Sequence, residues 1–148
     1  MSLEAVIQKD LITAMKAKDE IGLRGIRAIK AAIQFVKTDG SGTDLNPESE
    51  IKLLQKLVKQ RKDSLSIYEQ NGRELLAQTE REEIEVIERY LPKKLSEGEI
   101  ETIVKKVIAE TGATGMKDMG KVMGATNKAV AGQAEGAVIS AIVKKLLA

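Results

Sequence analysis

Apolar residues return every three or four positions along most of this chain, and only two prolines interrupt the pattern, at positions 47 and 92. Leu3, Ile7, Leu11, Ala14 and Met15 form a first helical stripe that Ser2 can cap. Asp19 restarts the pattern, and Gly22, Ile26, Ile29, Ile33 and Val36 form the second stripe. Asp39-Gly40-Ser41-Gly42-Thr43-Asp44-Leu45 reads as a loop. Asn46 and Pro47 then read as N-cap and first helical residue, because proline loses nothing where an amide has no partner. A third helix carries Ile51, Leu54, Val58, Leu65 and Tyr68 and stops at Asn71-Gly72. A fourth, from about Arg73 to Tyr90, turns Leu76, Ile84, Ile87 and Leu91 inward until Pro92 closes it.

Ser96 and Glu99 make a capping box for a fifth helix with Ile100, Ile103, Val104, Val107 and Ile108 inward, ended by Gly112. Thr114 is the expected cap of a sixth, which uses Met116, Met119, Val122 and Met123. After the break Val130–Gly136, a seventh helix carries Val138, Ile139, Ile142, Val143 and Leu146. No useful run shows the strand period of two. The fold class is therefore all-α, with a four-helix N-terminal part of antiparallel hairpins, residues 1–93. A three-helix C-terminal part, residues 94–148, follows a hinge at Pro92-Lys93-Lys94-Leu95.

Composition removes several kinds of chemistry. A chain of 148 residues buries about two-thirds of its unfolded surface and needs no staple. There is no Cys and no His, which excludes disulfides, thiolate metal sites, two-His metal sites and His-dependent catalytic triads. No catalytic residue, metal site or cofactor is expected. The aromatics are Phe35, Tyr68 and Tyr90, too few for the stacking platforms of single-strand RNA binding. No apolar run is long enough for a membrane span, and the N-terminus lacks the basic-then-apolar form of a secretory signal, so a cytoplasmic protein is expected.

With 24 Lys and Arg against 22 Asp and Glu, a polyanion surface has to come from charge segregation. Between Ile21 and Thr38 stand Arg24, Arg27, Lys30 and Lys37 without an acid. Lys52, Lys56, Lys59 and Lys62 lie opposite the apolar stripe of the third helix, whereas the fourth carries Glu74, Glu80, Glu82, Glu83, Glu85 and Glu88. The two basic stripes suit phosphate contacts without base readout, and a solvated helix face is the plainer reading of each.

Gly115-Met116-Lys117-Asp118-Met119-Gly120-Lys121-Val122 nearly spells a phosphate-binding loop. A helix precedes it where a strand is needed, and Val122 replaces the magnesium-binding hydroxyl, so a short helix with methionines inward is expected. Gly120 and Gly124, one turn apart, leave a flat strip that a neighbouring helix, or else an RNA backbone, can approach. Arg61 interrupts the apolar stripe between Val58 and Leu65, and Glu80 falls in register between Leu76 and Ile84. Folding the chain at Asn71-Gly72 puts Arg61 opposite Glu80 and Glu83, as a structural ion pair that fixes register. Ser140 and Lys144 lack an oxyanion-hole motif and read as surface.

Taken together these residues resemble a known family. Ala14-Met15-Lys16-Ala17-Lys18-Asp19, Leu23-Arg24, Ile29-Lys30-Ala31-Ala32-Ile33, Lys59-Gln60-Arg61-Lys62-Asp63-Ser64 and Gly72-Arg73 resemble the N-terminal region of the YqeY family. The strongest match is Ile87-Glu88-Arg89-Tyr90-Leu91-Pro92-Lys93-Lys94-Leu95-Ser96, followed by Asp118-Met119-Gly120-Lys121-Val122-Met123 and the final Ile142–Leu147. The resemblance covers essentially the whole chain and implies the same four-plus-three helices.

In that family the C-terminal part is similar to the tail of GatB, a subunit of the tRNA-dependent amidotransferase. The resemblance therefore implies a tRNA-binding or tRNA-associated accessory, with tRNA, the amidotransferase or another translation-related protein as partner. It also lends the label of carbon–nitrogen ligase with glutamine as amido donor, although no residue here suits that reaction. Where the family pattern has Gly-Arg-Ala-Asp-Gly, this chain has Gly132-Gln133-Ala134-Glu135-Gly136, which removes a phosphate contact. The residues carried over to RNA are Lys117, Gly120, Lys121 and Gly124, with Lys128 added from its position. The competing reading is a helical protein-interaction module that never touches RNA.

Overall fold

The computed structural model describes residues 1–42 and 44–148; of the expected loop, Thr43 lies outside the described residues. Among them there are seven α-helices and no strand: α1 Leu3–Ala17, α2 Glu20–Thr38, α3 Pro47–Gln70, α4 Glu74–Glu88, α5 Glu97–Thr111, α6 Met119–Val130 and α7 Gly136–Leu147. None is long and apolar enough to cross a membrane. The chain divides into two compact units, Met1–Leu91 and Pro92–Ala148.

In the first unit the helix starts follow from local chemistry. The Ser2 hydroxyl accepts from the Ala5 amide at 3.2 Å, Asp19 from the Gly22 amide at 3.0 Å, and Asn46 from the Ser49 amide at 2.9 Å. Pro47 occupies the first turn of α3, where its missing N–H costs nothing. The core is built from Ile7, Ile29, Ile33, Leu54 and Ile87, all fully buried. α1 packs on α2, and α4 packs on both α2 and α3, which barely meet each other. α2 and α4 come closest at Gly25, where a Cβ would lie 2.4 Å from Val86 Cγ1. Val86 thus fills the space that the missing side chain leaves.

Two inward expectations fail in the helices of the first unit. Leu76 is 44% exposed, and Ala77 takes the buried position in α4. α4 presents one face to α2 through Val86 and another to α3, so a single stripe does not describe it. Met15 is exposed at the last turn of α1, beyond the reach of the core.

In the second unit the Ser96 hydroxyl accepts from the Glu99 amide at 3.2 Å and opens α5, and Gly112 ends it with φ of 67°. Ile100, Val104, Val122, Val130, Ile139 and Val143 form its core. The Thr114 cap does not form. The chain makes a 3-10 turn over Met116–Asp118 before α6 starts, and the Thr114 amide donates to Asp118 Oδ2 at 3.0 Å. The turn carries Met116 out of the core, leaving it 48% exposed.

Candidate functional site

The basic residues of the first unit do not make one surface. α4 lies against both α2 and α3, and its acids take up several of their cations. Arg24 meets Glu82 at 3.2 Å, Arg61 meets Glu83 at 3.1 Å and Lys62 meets Glu88 at 3.7 Å. Lys37 pairs with Glu4 of α1, and Lys52 with Glu48 one turn away at 3.4 Å. Arg27, Lys56 and Lys59 remain exposed and Lys30 half-buried, on two helices that barely touch. Three cations of the two stripes, Arg24, Lys37 and Lys62, thus join helices of the same unit.

Arg61 is held at two points: its Nε donates to Glu83 and its Nη1 to the Leu57 carbonyl at 3.2 Å. Glu80 stands beside this pair with one carboxylate oxygen buried and without a hydrogen-bond partner. Burial raises its pKa above the ordinary glutamate value; Glu83 adds to the rise and Arg61 opposes it. Tyr90 donates to Asp10 at 2.6 Å, tying the segment after α4 to α1. Burial, and then this bond, raise the tyrosine pKa. Neither the Tyr90–Asp10 bond nor the close approach at Gly25 is visible in a periodicity of apolar residues, because each depends on a partner more than sixty positions away.

The second unit carries the charge surplus. Between Pro92 and Ala148 there are nine lysines and six acids, whereas the first 91 residues carry fifteen basic and sixteen acidic side chains. α5 offsets its own lysines, with Lys105 on Glu101 at 3.3 Å and Lys106 on Glu110 at 3.9 Å. α6 contains no acid from Met119 to Val130. Its buried residues are Val122, Thr126 and Val130, and at 3.6 residues per turn Gly120, Lys121, Gly124 and Lys128 fall on the opposite, exposed side. Lys117, in the preceding turn, is exposed as well.

The expectation that a neighbouring helix covers Gly120 and Gly124 is overturned: a Cβ at either would meet nothing within 4 Å. Glycine costs helix stability, and here no packing contact offsets that cost. The lysines are not all at liberty. Lys121 Nζ donates to the Thr111 carbonyl at 3.3 Å, near the end of α5, where a cation suits the helix dipole. The Asp118 carboxylate occupies the Thr114 amide, and that bond is the first cause of its lowered pKa, with Lys117 and Lys121 contributing less. The segment that nearly spells a phosphate loop is thus a 3-10 turn running into α6, with α5 before it. Among the described residues no three acidic side chains converge as a metal site.

The loop that departs from the family pattern has a different role from a phosphate contact. Gln133 Nε2 donates to the Lys93 carbonyl at 3.1 Å, and the Gln133 carbonyl accepts from the Leu95 amide at 2.8 Å. Glu135 pairs with Lys94 at 3.7 Å. These residues face the chain's own entering segment.

The second unit thus presents an outward face of α6 that carries Gly120, Lys121, Gly124 and Lys128. The family model described as Yqey-like protein matches residues 4–147, and the chain belongs to that family. It is similar to the protein named "Altered inheritance of mitochondria protein 41, mitochondrial" in several yeasts. Identity is 37% over 108 residues in Lachancea thermotolerans, covering 72% of this chain and 58% of that protein. In Vanderwaltozyma polyspora it is 35% over 119 residues, covering 76% and 64%. In Saccharomyces cerevisiae strain YJM789 it is 32% over 106 residues, covering 70% and 57%. The chain therefore spans about three-fifths of the length of these relatives. Their names correct the cytoplasmic expectation: these are mitochondrial proteins, and lacking a secretory signal does not separate cytoplasm from organelle.

Proposed function

We propose that this protein is a non-catalytic accessory that contacts tRNA through the outward face of α6, within the mitochondrial setting its relatives' names give. The observation that carries the reading is the open Gly120–Gly124 strip flanked by Lys117, Lys121 and Lys128. Bare glycines let a ribose-phosphate backbone approach the helix, and lysines act there as point charges without base readout. The strip runs along one exposed face of the unit that holds the chain's positive surplus. Association with an amidotransferase subunit or another translation protein belongs to the same reading.

Filter binding of bulk tRNA at two salt concentrations tests it. Three lysines neutralise at most three phosphates, so the slope of log affinity against log salt should lie between about −2 and −3. Lys117→Glu with Lys121→Glu should abolish binding while the circular dichroism stays unchanged. Gly124→Leu should weaken binding by bulk alone, since nothing in the fold occupies that space. Salt-independent binding, or none, would favour the protein-interaction reading. That alternative draws on Ile67, Leu75 and Leu76, aliphatic side chains exposed on the helices flanking the Asn71-Gly72 turn.

A further inference from the structure

We infer that Gln133 and Glu135 form a clasp that holds residues 93–95 against the α6–α7 loop and governs how readily that segment opens. On the N-terminal side of the boundary the chain is tied down as far as Leu91. The Tyr90 amide donates to the Ile87 carbonyl and the Leu91 amide to the Glu88 carbonyl, both at 3.1 Å. On the C-terminal side the clasp begins at Lys93, whose carbonyl accepts from the Gln133 side chain. The Leu95 amide then binds the Gln133 carbonyl, and Leu95 packs against the core of the second unit. Lys94, between them, is paired with Glu135.

One glutamine thus holds the strap at two points, using its side-chain donor and its main-chain acceptor. Pro92 has no amide hydrogen, and its carbonyl enters no hydrogen bond among the described residues. The loop can present Gln133 in this way because Ala131 and Gly132 both adopt positive φ, 45° and 83°, which turns the chain sharply after α6. A left-handed alanine is uncommon, and here it ends α6 in register with the strap. The clasp is independent of RNA: it sits on the α6–α7 loop, and every bond in it is internal to the second unit.

Limited digestion of the full chain by trypsin reads the clasp directly, because Lys93 and Lys94 are exposed and lie within it. In Gln133→Leu combined with Glu135→Gln, cleavage after Lys93 should rise by about five- to tenfold, the opening expected from losing one or two hydrogen bonds. Cleavage after Lys128 and Lys144, which reports opening of the second unit itself, should stay at the wild-type rate. Exchange of the Leu95 amide hydrogen should accelerate by a similar factor. Unchanged cleavage after Lys93, unchanged Leu95 exchange, or a rise shared equally by Lys128 would each overturn the proposal. Binding of tRNA is not the readout, so the clasp and the α6 reading stand or fall separately.

Discussion

Replacing Glu80 with Leu should stabilise the first unit at neutral pH, and the gain should vanish in acid. One oxygen of this carboxylate is buried with no hydrogen-bond partner, although Arg61 and Glu83 lie close by. Arg61 directs its Nε to Glu83 and one Nη to the Leu57 carbonyl, so Glu80 receives charge compensation without a bond. An unsatisfied buried polar group costs about 1–3 kcal/mol, more when charged, and an apolar side chain of similar volume removes that cost. We expect a net gain of about 1 kcal/mol, or about 4–8 °C in Tm for a unit of this size.

The pH dependence has a definite sign. Glu80 has a raised pKa in the folded protein, burial being the first cause and Glu83 the second. The folded state therefore holds its proton to higher pH than the unfolded state does. Stability is highest when Glu80 is protonated, falls as pH rises from the unfolded value of about 4.3 through the folded one, and is flat above. Urea titrations of wild type and Glu80→Leu at pH 7 and pH 4 read this contribution, because carboxylates remote from Glu80 cancel in the difference. A gain at pH 4 as large as that at pH 7 would refute the argument. The complementary variant, Arg61→Ala, strips the cluster of its cation and should cost about 3 kcal/mol at pH 7. Part of that loss should be recovered in acid, where both glutamates can be neutralised.

Two further outcomes follow from packing. Thr126 is fully buried in the second unit with its hydroxyl unpaired, so Thr126→Val, nearly the same in shape, should raise stability by about 1 kcal/mol in thermal melts. Gly25→Ala should destabilise the first unit by about 1–3 kcal/mol because its Cβ collides with Val86, whereas Gly124→Ala should stabilise α6 by about 0.5–1 kcal/mol. Chemical denaturation of the two glycine variants side by side checks the contrast, and equal signs would contradict the packing described.

The helical character of this protein and the starts of most helices are local properties. Ser2, Asp19, Asn46 with Pro47, and the Ser96–Glu99 pair act within one turn of themselves, so their effect is written in adjacent residues. The pairing of Arg61 with an acid of α4 was also legible, since a charged residue inside an apolar stripe needs a partner across the turn. Thr114 misled because a carboxylate four residues on competes for the same amide, and sequence spacing alone does not rank the two acceptors.

Where each exposed face ends up is set by the packing of the helices. Basic stripes on α2 and α3 look alike in sequence, yet α4 lies against both and takes Arg24 from one and Lys62 from the other, while Arg27, Lys56 and Lys59 stay exposed. Gly120 and Gly124 have the spacing of a packing seam, and it is the side of α6 turned to Val104, Ile139 and Val143 that leaves them open. Gln133 reads as a lost cation until the chain returns to bring Lys93 and Leu95 within hydrogen-bond reach. A local pattern sets which residues share a helix face, because that depends on 3.6 residues per turn. Which face meets protein and which meets solvent depends on contacts between residues far apart in the chain, and those exist only once the helices have packed.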